Sequence, residues 1–416
     1  MDALIMKLAF FLIMAVSFCA SGSSQVPLVK TGIDVLERCD FDILRGKRVG
    51  LITNATGVDQ RLRSTIDILF QAGAVKLVAL FGPEHGVRGD YAGGDEVTSY
   101  TDPTTRLPVI SLYGKTRRPT PEMLKDIDVL VYDIQDIGCR SYTYISTMGL
   151  AMEAAAEQNI AFVVLDRPNP LGGLKVEGNI VGPGFESFVS PFPIPYVYGL
   201  TCGELALFLN GEGLLHGGVK CNLTVVPMEG WRREMTFSAT GLQWVPTSPH
   251  IPESCSPEYY VSSGILGELG VISEGVGYTI PFHVFAAEWI KPAQLADSMN
   301  ALHLDGVIFR PITFKPFYGR STGKDLKGVQ IHITDADSVN LTSLQFHFLE
   351  VHNRLYPDKD PFVLADSSRI RMFDKVAGTD QIRKLFLKRM VYADIEAYLR
   401  KDVENFKERS KKYLLY

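Results

Sequence analysis

The sequence predicts an α/β fold, in which a Rossmann-like, doubly wound parallel sheet is followed by a second, smaller C-terminal α/β domain. Short apolar runs alternate with helical stretches from about residue 47 to 227. The runs are continuously apolar, as expected for strands that helices cover on both faces. Four of them end in polar residues, and ligands of open α/β sheets bind outside the carboxyl ends of the strands.

The elements of the first domain follow from this alternation. Strands are predicted at residues 48–53, 75–81, 109–113, 129–132 and 161–165, with helices at 64–72 and 144–158. A helix is also predicted at 201–214, where Thr201 and Glu204 have the spacing of a capping box. No phosphate-loop motif occurs, and no G-x-G-x-x-G follows the first strand, so we expect the fold without a nucleotide.

The pattern becomes less regular beyond about residue 235. A Pro- and Ser-rich loop is predicted at 244–257, helices at 292–302 and 341–355, a strand at 328–334, and one charged amphipathic helix at 394–411. We therefore place residues 30–234 in a Rossmann-like catalytic domain. Residues 235–416 form a smaller domain that closes one side of it.

Composition narrows the possible functions. The 416 residues are 46% hydrophobic and 21% charged, as in ordinary globular proteins. The formal net charge of -5 gives no electrostatic support for binding nucleic acid. The six cysteines are too few for a disulfide scaffold and lack metal-ligand spacing, and the eight histidines do not cluster. We therefore expect neither a metal nor a cofactor.

The N-terminus resembles an export signal at residues 1–22. An unbroken apolar run at 8–18 follows Lys7 and precedes small residues, and it is too short to span a bilayer comfortably. Cys19 follows the run, where a bacterial lipoprotein would be acylated. We expect an exported protein, periplasmic or envelope-associated, that meets a membrane only through a lipid on Cys19. The alternative is a buried first helix.

The motif FGPEHGVRG at 81–89 is the first candidate site. It brings Glu84 to the sheet edge, where a carboxylic acid can act as a general acid. His85 is the only histidine in a polar strand-end motif, and Arg88 follows three residues later. The alternative reading of Glu84 is a turn carboxylate that caps the next segment.

The motif DIQDIGCRSYTY at 133–144 is the second candidate site. It contains Asp133, Asp136, Arg140, Tyr142 and Tyr144 at one strand end. Asp133 is expected to point into the site, whereas Asp136 could equally serve as a cap, as could the threonine at 143. The Arg140 guanidinium could clamp an anionic group or form a salt bridge with one of the two aspartates.

The motif LDRPNP at 165–170 is the third. Two prolines fix the turn that carries Asp166, Arg167 and Asn169. The alternative is a rigid loop with an internal Asp–Arg pair. Asn54 stands at the end of the first strand and completes the polar strand ends.

These motifs, with YGLTCGELA, SEGVG…PF and FKERSKKYLLY, resemble the NamZ-type exo-β-N-acetylmuramidases. Those bacterial exported proteins release N-acetylmuramic acid from the non-reducing ends of peptidoglycan fragments. The resemblance covers residues 32–416. It implies a Rossmann-like domain with a smaller C-terminal domain, an active site in the cleft between them, and catalysis by Glu84.

One stretch departs from the family pattern. Glu268 and Glu274 are retained, but Val276 and Ile280 stand where the family usually carries arginines. If this stretch forms a sugar subsite, the specificity could have shifted to another amino sugar.

The resemblance and the residues together predict an exo-acting glycoside hydrolase whose partners are peptidoglycan-derived muramyl saccharides. Glu84 is assigned as the acid and Asp133 as the second catalytic group, with Asp166 and Glu268 behind it. A cation must bind the lactyl carboxylate of muramic acid, and the candidates are Arg88, Arg140 and Arg167. The substrate-binding set is Asn54, His85, Arg88, Asp136, Arg140, Tyr142, Tyr144, Asp166, Arg167, Asn169, Glu268 and Glu274. The rival hypothesis is a non-catalytic glycan-binding protein of the cell envelope.

Overall fold

A computed structural model of the protein describes residues 29–84, 86–89 and 99–416. In this part of the chain the first sheet has seven strands: β1 (Arg48–Thr53), β2 (Lys76–Gly82), β3 (Tyr100–Thr101), β4 (Pro108–Ser111), β5 (Val129–Asp133), β6 (Ala161–Leu165) and β7 (Asn222–Val226). Their order is β3-β4-β2-β1-β5-β6-β7. All neighbours are parallel except β3, which runs antiparallel to β4. The predicted parallel sheet is confirmed.

Helices cover both faces of this sheet, as a doubly wound fold requires. They are α1 (Gly32–Arg38), α2 (Thr65–Gln71), α3 (Pro121–Leu124), α4 (Tyr144–Glu157) and α5 (Cys202–Gly211). Successive strand residues point to opposite faces, so Leu51 packs with α1 and α2 while Ile52 packs with α4 and α5. Thr201 and Glu204 form the predicted capping box at the start of α5.

The strand order reverses between β1 and β5. The chain runs outward from β1 to β2 and β4 and then returns to place β5 on the other side of β1. Ligands of open α/β sheets bind in the crevice at this point, outside the carboxyl ends of the strands. The residues after β1, β2 and β5 therefore border the expected site.

The second domain is built on a smaller, antiparallel sheet of β8 (Val284–Ala287), β9 (Val307–Phe314) and β10 (Leu326–Ile333), with β10 in the centre. Three helices join its core: α6 (Ser256–Gly267), α7 (Pro292–Asn300) and α8 (Leu344–Leu355). Five further helices follow, the first four of which also contribute residues to this core: α9 (Pro361–Leu364), α10 (Ser367–Ala377), α11 (Gln381–Phe386), α12 (Ala393–Arg400) and α13 (Val403–Ser410).

The prediction of one helix over 394–411 was wrong. The chain turns between α12 and α13, where the Asp402 carboxylate accepts a hydrogen bond from the backbone N–H of Ile180, 3.3 Å away. The C-terminus then packs on the first domain, with Phe406 and Tyr413 against Phe208. Among the residues the structure describes, no helix is long and apolar enough to cross a membrane.

Candidate active site

A cleft of about 320 Å³ opens between the two domains at the carboxyl edge of the first sheet. The first domain contributes Glu84, after β2, and the segment that leads into α4. The second domain contributes side chains from the loop before α6, from α6 itself and from the residues after it. The lining residues are Glu84, Ser141, Tyr142, Thr143, Tyr144, Val189, Ser248, His250, Ile251, Tyr260, Glu268, Phe282 and Val376.

Glu84 is held in the cleft by a hydroxyl group. The Thr143 hydroxyl donates to Glu84 Oε2 over 3.0 Å. Tyr113 lies nearby, and burial together with the Glu84 carboxylate raises the pKa of Tyr113 to about 12. Thr143 occupies the N-cap position of α4 but makes no side-chain cap hydrogen bond. Its hydroxyl therefore orients Glu84 instead of capping the helix.

Two tyrosines form the floor of the cleft beside Glu84. The hydroxyls of Tyr142 and Tyr144 bond the side chain and the carbonyl of Thr247, respectively. The rings of Tyr142 and Tyr144 meet edge to face with centroids 5.0 Å apart. Asn54 is buried near the Tyr144 hydroxyl, and its side chain accepts hydrogen bonds from the backbone N–H and the hydroxyl of Thr56. The structure thus places the two predicted tyrosines in the site and Asn54 in its support.

Glu268 supplies a second carboxyl group to the cleft, from the second domain. It follows the last turn of α6. Burial raises the pKa of Glu268, an effect that Arg369 and Arg320 partly offset. The Glu84 carboxylate lies close enough to Tyr142 to contribute to the raised pKa of that tyrosine, and Glu268 does the same for Tyr260. The rings of Tyr142 and Tyr260 pack edge to face at 5.7 Å, so the two glutamates flank this pair.

Asp133, the predicted second catalytic group, lies outside the cleft lining. It is fully buried and forms a two-pronged ion pair with Arg167, whose Nη2 donates to Asp133 Oδ2 over 2.8 Å. The Thr65 hydroxyl donates to the same oxygen. Because both carboxylate oxygens and the guanidinium are engaged, this geometry opposes the roles predicted for Asp133 in catalysis and Arg167 in substrate binding.

Asp136 and Asp166 are also buried away from the cleft. Asp136 Oδ1 accepts hydrogen bonds from the Tyr198 hydroxyl at 2.7 Å and the Gly138 N–H at 2.9 Å. Asp166 accepts from the hydroxyls of Thr201 and Tyr416, each at 2.7 Å. Burial raises the pKa of each aspartate to about 6. We call Asp133, Asp136, Asp166 and Arg167 the strand-end network.

The other predicted polar residues hold the backbone. Asn169 donates to the carbonyl of Leu200 over 2.9 Å and accepts from the N–H of Leu171 at 3.0 Å. Glu274 is paired with Arg320, with Nη2 and Oε2 3.1 Å apart, and burial raises the pKa of Glu274. His85 lies outside the residues the structure describes.

Arg88 and Arg140, predicted to bind an anion, are occupied elsewhere. Arg88 forms a two-pronged pair with Asp102 at 2.7 and 3.1 Å and holds the pKa of that carboxyl well below its usual range. Arg140 is fully buried, and burial lowers its pKa to about 10. Its guanidinium donates to carbonyls of both domains, including those of Asn179 at 2.6 Å and Val376 at 3.1 Å. Arg140 thus ties the domains together, which opposes its predicted role.

Apart from Glu268, the residues beyond position 244 that line the cleft were not predicted from the sequence. Tyr260 and the residues from Ser248 to Ile251 line the cleft, but they stand in the stretch read as a loop and in a helix that was not predicted. Polar residues in a loop on a rigid scaffold are a general signal of function. Among the described residues no group of three or more His, Cys, Asp or Glu side chains could hold a metal ion.

Comparison with known proteins supplies the family. The family model "Exo-beta-N-acetylmuramidase NamZ, N-terminal" matches residues 49–255, and the corresponding C-terminal model matches residues 258–416. The chain belongs to the NamZ family. The peptidoglycan beta-N-acetylmuramidase NamZ of Bacillus subtilis (strain 168) is 45% identical over 394 residues, which are 95% of this chain and 93% of the relative.

Two crystal structures of DUF1343 family proteins from Bacteroides fragilis share the fold of this NamZ-family chain. The first is 60% identical with a TM-score of 0.90, and the second is 28% identical with a TM-score of 0.74. Each comparison covers 93% of this chain and 99% of the other.

Proposed function

We propose that the protein is an exported, exo-acting glycoside hydrolase that releases N-acetylmuramic acid from the non-reducing end of peptidoglycan fragments. Family membership and the muramidase from Bacillus subtilis support this activity. Within the structure, the observation that carries the proposal is the cleft at the carboxyl edge of the first sheet, where both domains place a glutamate, Glu84 and Glu268. A purely glycan-binding protein would not need this pair.

Glycoside hydrolysis needs a carboxylic acid to protonate the leaving oxygen and a second group to assist at the sugar carbon. Glu84 takes the first role, with its orientation fixed by the Thr143 hydroxyl. Glu268 takes the second role in place of Asp133, since it is the carboxyl of the second domain that lines the cleft. A cleft of about 320 Å³ suits one terminal sugar better than a through-running chain.

The test uses the disaccharide N-acetylmuramyl-N-acetylglucosamine and two aryl muramides that differ in leaving group. Wild type is expected to release free N-acetylmuramic acid from the disaccharide. Glu84→Gln should lose this activity but keep much of its turnover of the dinitrophenyl glycoside, whose leaving group needs no proton. Glu268→Ala should be slow on every substrate and be accelerated by added azide. A wild-type enzyme that releases no sugar would refute the proposal.

Export is proposed from the apolar run at 8–18 and from a substrate that lies outside the cytoplasm. Protein purified from its native host should lack residues 1 to about 22 or carry a lipid on Cys19. Mass spectrometry of the intact protein decides between these forms. An unmodified, full-length chain in the cytoplasm would contradict the export proposal.

A further inference from the structure

Two arginines of the second domain converge at the rim of the cleft, next to Glu268. Arg320 lies in the loop between β9 and β10, and Arg369 lies in the first turn of α10. A methyl group added at Gly270 would lie 3.4 Å from Arg320 Nη1 and 3.6 Å from Arg369 Nε. Both guanidinium groups therefore lie close to Gly270, which is two residues after Glu268 in the sequence.

Neither guanidinium has all of its N–H donors engaged in hydrogen bonds to the described residues. Arg320 uses Nη2 to pair with Glu274, and its side chain is 40% exposed. Arg369 is exposed, and its guanidinium donates no hydrogen bond to any residue that the structure describes. The three arginines expected from the sequence, by contrast, have their donors engaged by carboxylates or carbonyls. A charged donor without a partner is free to bind an incoming anion.

We infer that Arg320 and Arg369 together bind a carboxylate on the C3 substituent of the muramic acid residue. This inference rests on the proposed function. In the proposed pose the glycosidic oxygen lies at Glu84, and the C3 substituent is directed toward Glu268, which lines the cleft beside the two arginines. N-acetylglucosamine has only a hydroxyl at C3, so the pair would set the preference for muramic acid.

The surroundings of the pair are compatible with an anion. Glu274 and Glu268 are the nearby acids. Glu274 engages only Nη2 of Arg320, and the Glu268 carboxylate accepts no hydrogen bond from the described residues. The outer side of the pair is open to solvent, since Arg320 is 40% exposed and Arg369 is exposed. The proposed anion is a free lactyl carboxylate or the first free carboxylate of a peptide linked to the lactyl group.

Kinetics on three aryl glycosides test the inference: the N-acetylmuraminide, its neutral lactyl amide, and the N-acetylglucosaminide. The readout is the ratio of kcat/KM for the muraminide to that for the glucosaminide. Arg320→Gln and Arg369→Gln should each lower this ratio by about ten- to hundred-fold, the range of a charge-assisted hydrogen bond. A muramyl dipeptide glycoside distinguishes the lactyl carboxylate from a peptide carboxylate as the group that is bound.

Two variants serve as controls. Arg371→Gln removes the same charge from the same helix, where Arg371 contacts Ser367 instead of the cleft rim. Arg117→Gln tests a rival cation, because Arg117 stacks on Phe188 at 4.3 Å and also lies over Tyr113 near Glu84. The inference is overturned if the ratio is unchanged in both rim variants or if Arg117→Gln alone lowers it. A wild-type preference for the glucosaminide would instead refute the proposed muramidase function.

Discussion

The carboxyl edge of the first sheet carries two sets of acids with opposite surroundings. In the strand-end network, Asp133 is fully buried and both of its oxygens are bonded to Arg167. In the cleft, Glu84 accepts a hydrogen bond from the Thr143 hydroxyl, and the Glu268 carboxylate accepts none from the described residues. The same residue types thus stabilise the fold in one place and are available for chemistry in the other. Each prediction below tests this division.

The largest expected effect is on activity at Glu84. Glu84→Gln should lower kcat on the natural disaccharide by about 10²–10⁴-fold, because an amide cannot donate a proton to the leaving oxygen. The melting temperature should stay near that of wild type, since Glu84 is bonded to the Thr143 hydroxyl and to no charged side chain among the described residues. Activity within a few fold of wild type would show that Glu84 is not the general acid. The acids of the cleft would then not differ in this respect from those of the strand-end network.

A change in the strand-end network should do the reverse. Asp133→Asn leaves the buried Arg167 charge without a counter-ion, which costs about 3–5 kcal/mol of unfolding free energy. Urea unfolding measures this loss, and kcat per folded molecule should change little. Replacing Arg167 as well, in Asp133→Asn/Arg167→Met, should recover part of the stability. Lost activity with unchanged stability in the single variant would instead make Asp133 catalytic.

The network should also make stability depend on pH. Burial raises the pKa of Asp136 from 3.8 in its unperturbed state to about 6 in the folded protein. The protonated form is therefore favoured by folding, and this stabilisation is present below about pH 4 and is lost as the pH rises through about 6. Asp136→Asn mimics the protonated form at every pH. The stability of the variant relative to wild type, measured as the difference in unfolding free energy, should therefore increase as the pH rises from about 4 through about 6. A difference that does not vary with pH would contradict the burial argument.

The smallest effect is expected at Thr143. Thr143→Val keeps the shape of the side chain but removes the 3.0 Å hydrogen bond to Glu84, which should lower kcat about two- to tenfold. Thr147→Val is the matched control on α4, because the Thr147 hydroxyl bonds the carbonyl of residue 143 instead of Glu84. Equal losses in the two variants would point to a general effect on the helix.

Much of the first domain could be predicted from local pattern. The strands β1 and β6 begin and end as predicted, and the capping box of α5 is present. Buried parallel strands and capped helices depend mainly on short-range spacing and on burial of both sheet faces. The edge strand β7 was not predicted, since its side chains alternate between exposed and half-buried positions and only the last one is buried.

The sequence by itself determined the fold class, the family resemblance and the position of Glu84 at a strand end, because a strand end followed by a polar motif can be recognised locally. Only the tertiary structure decided which acids and arginines are free to act. Asp133 and Arg167 are 34 positions apart in sequence, yet they neutralise each other in the fold. Arg140 donates hydrogen bonds to backbone carbonyls, one of which lies 236 positions away in the sequence. Glu268 enters the cleft from the second domain, and whether a charged group has a partner depends on such distant contacts rather than on its neighbours in sequence.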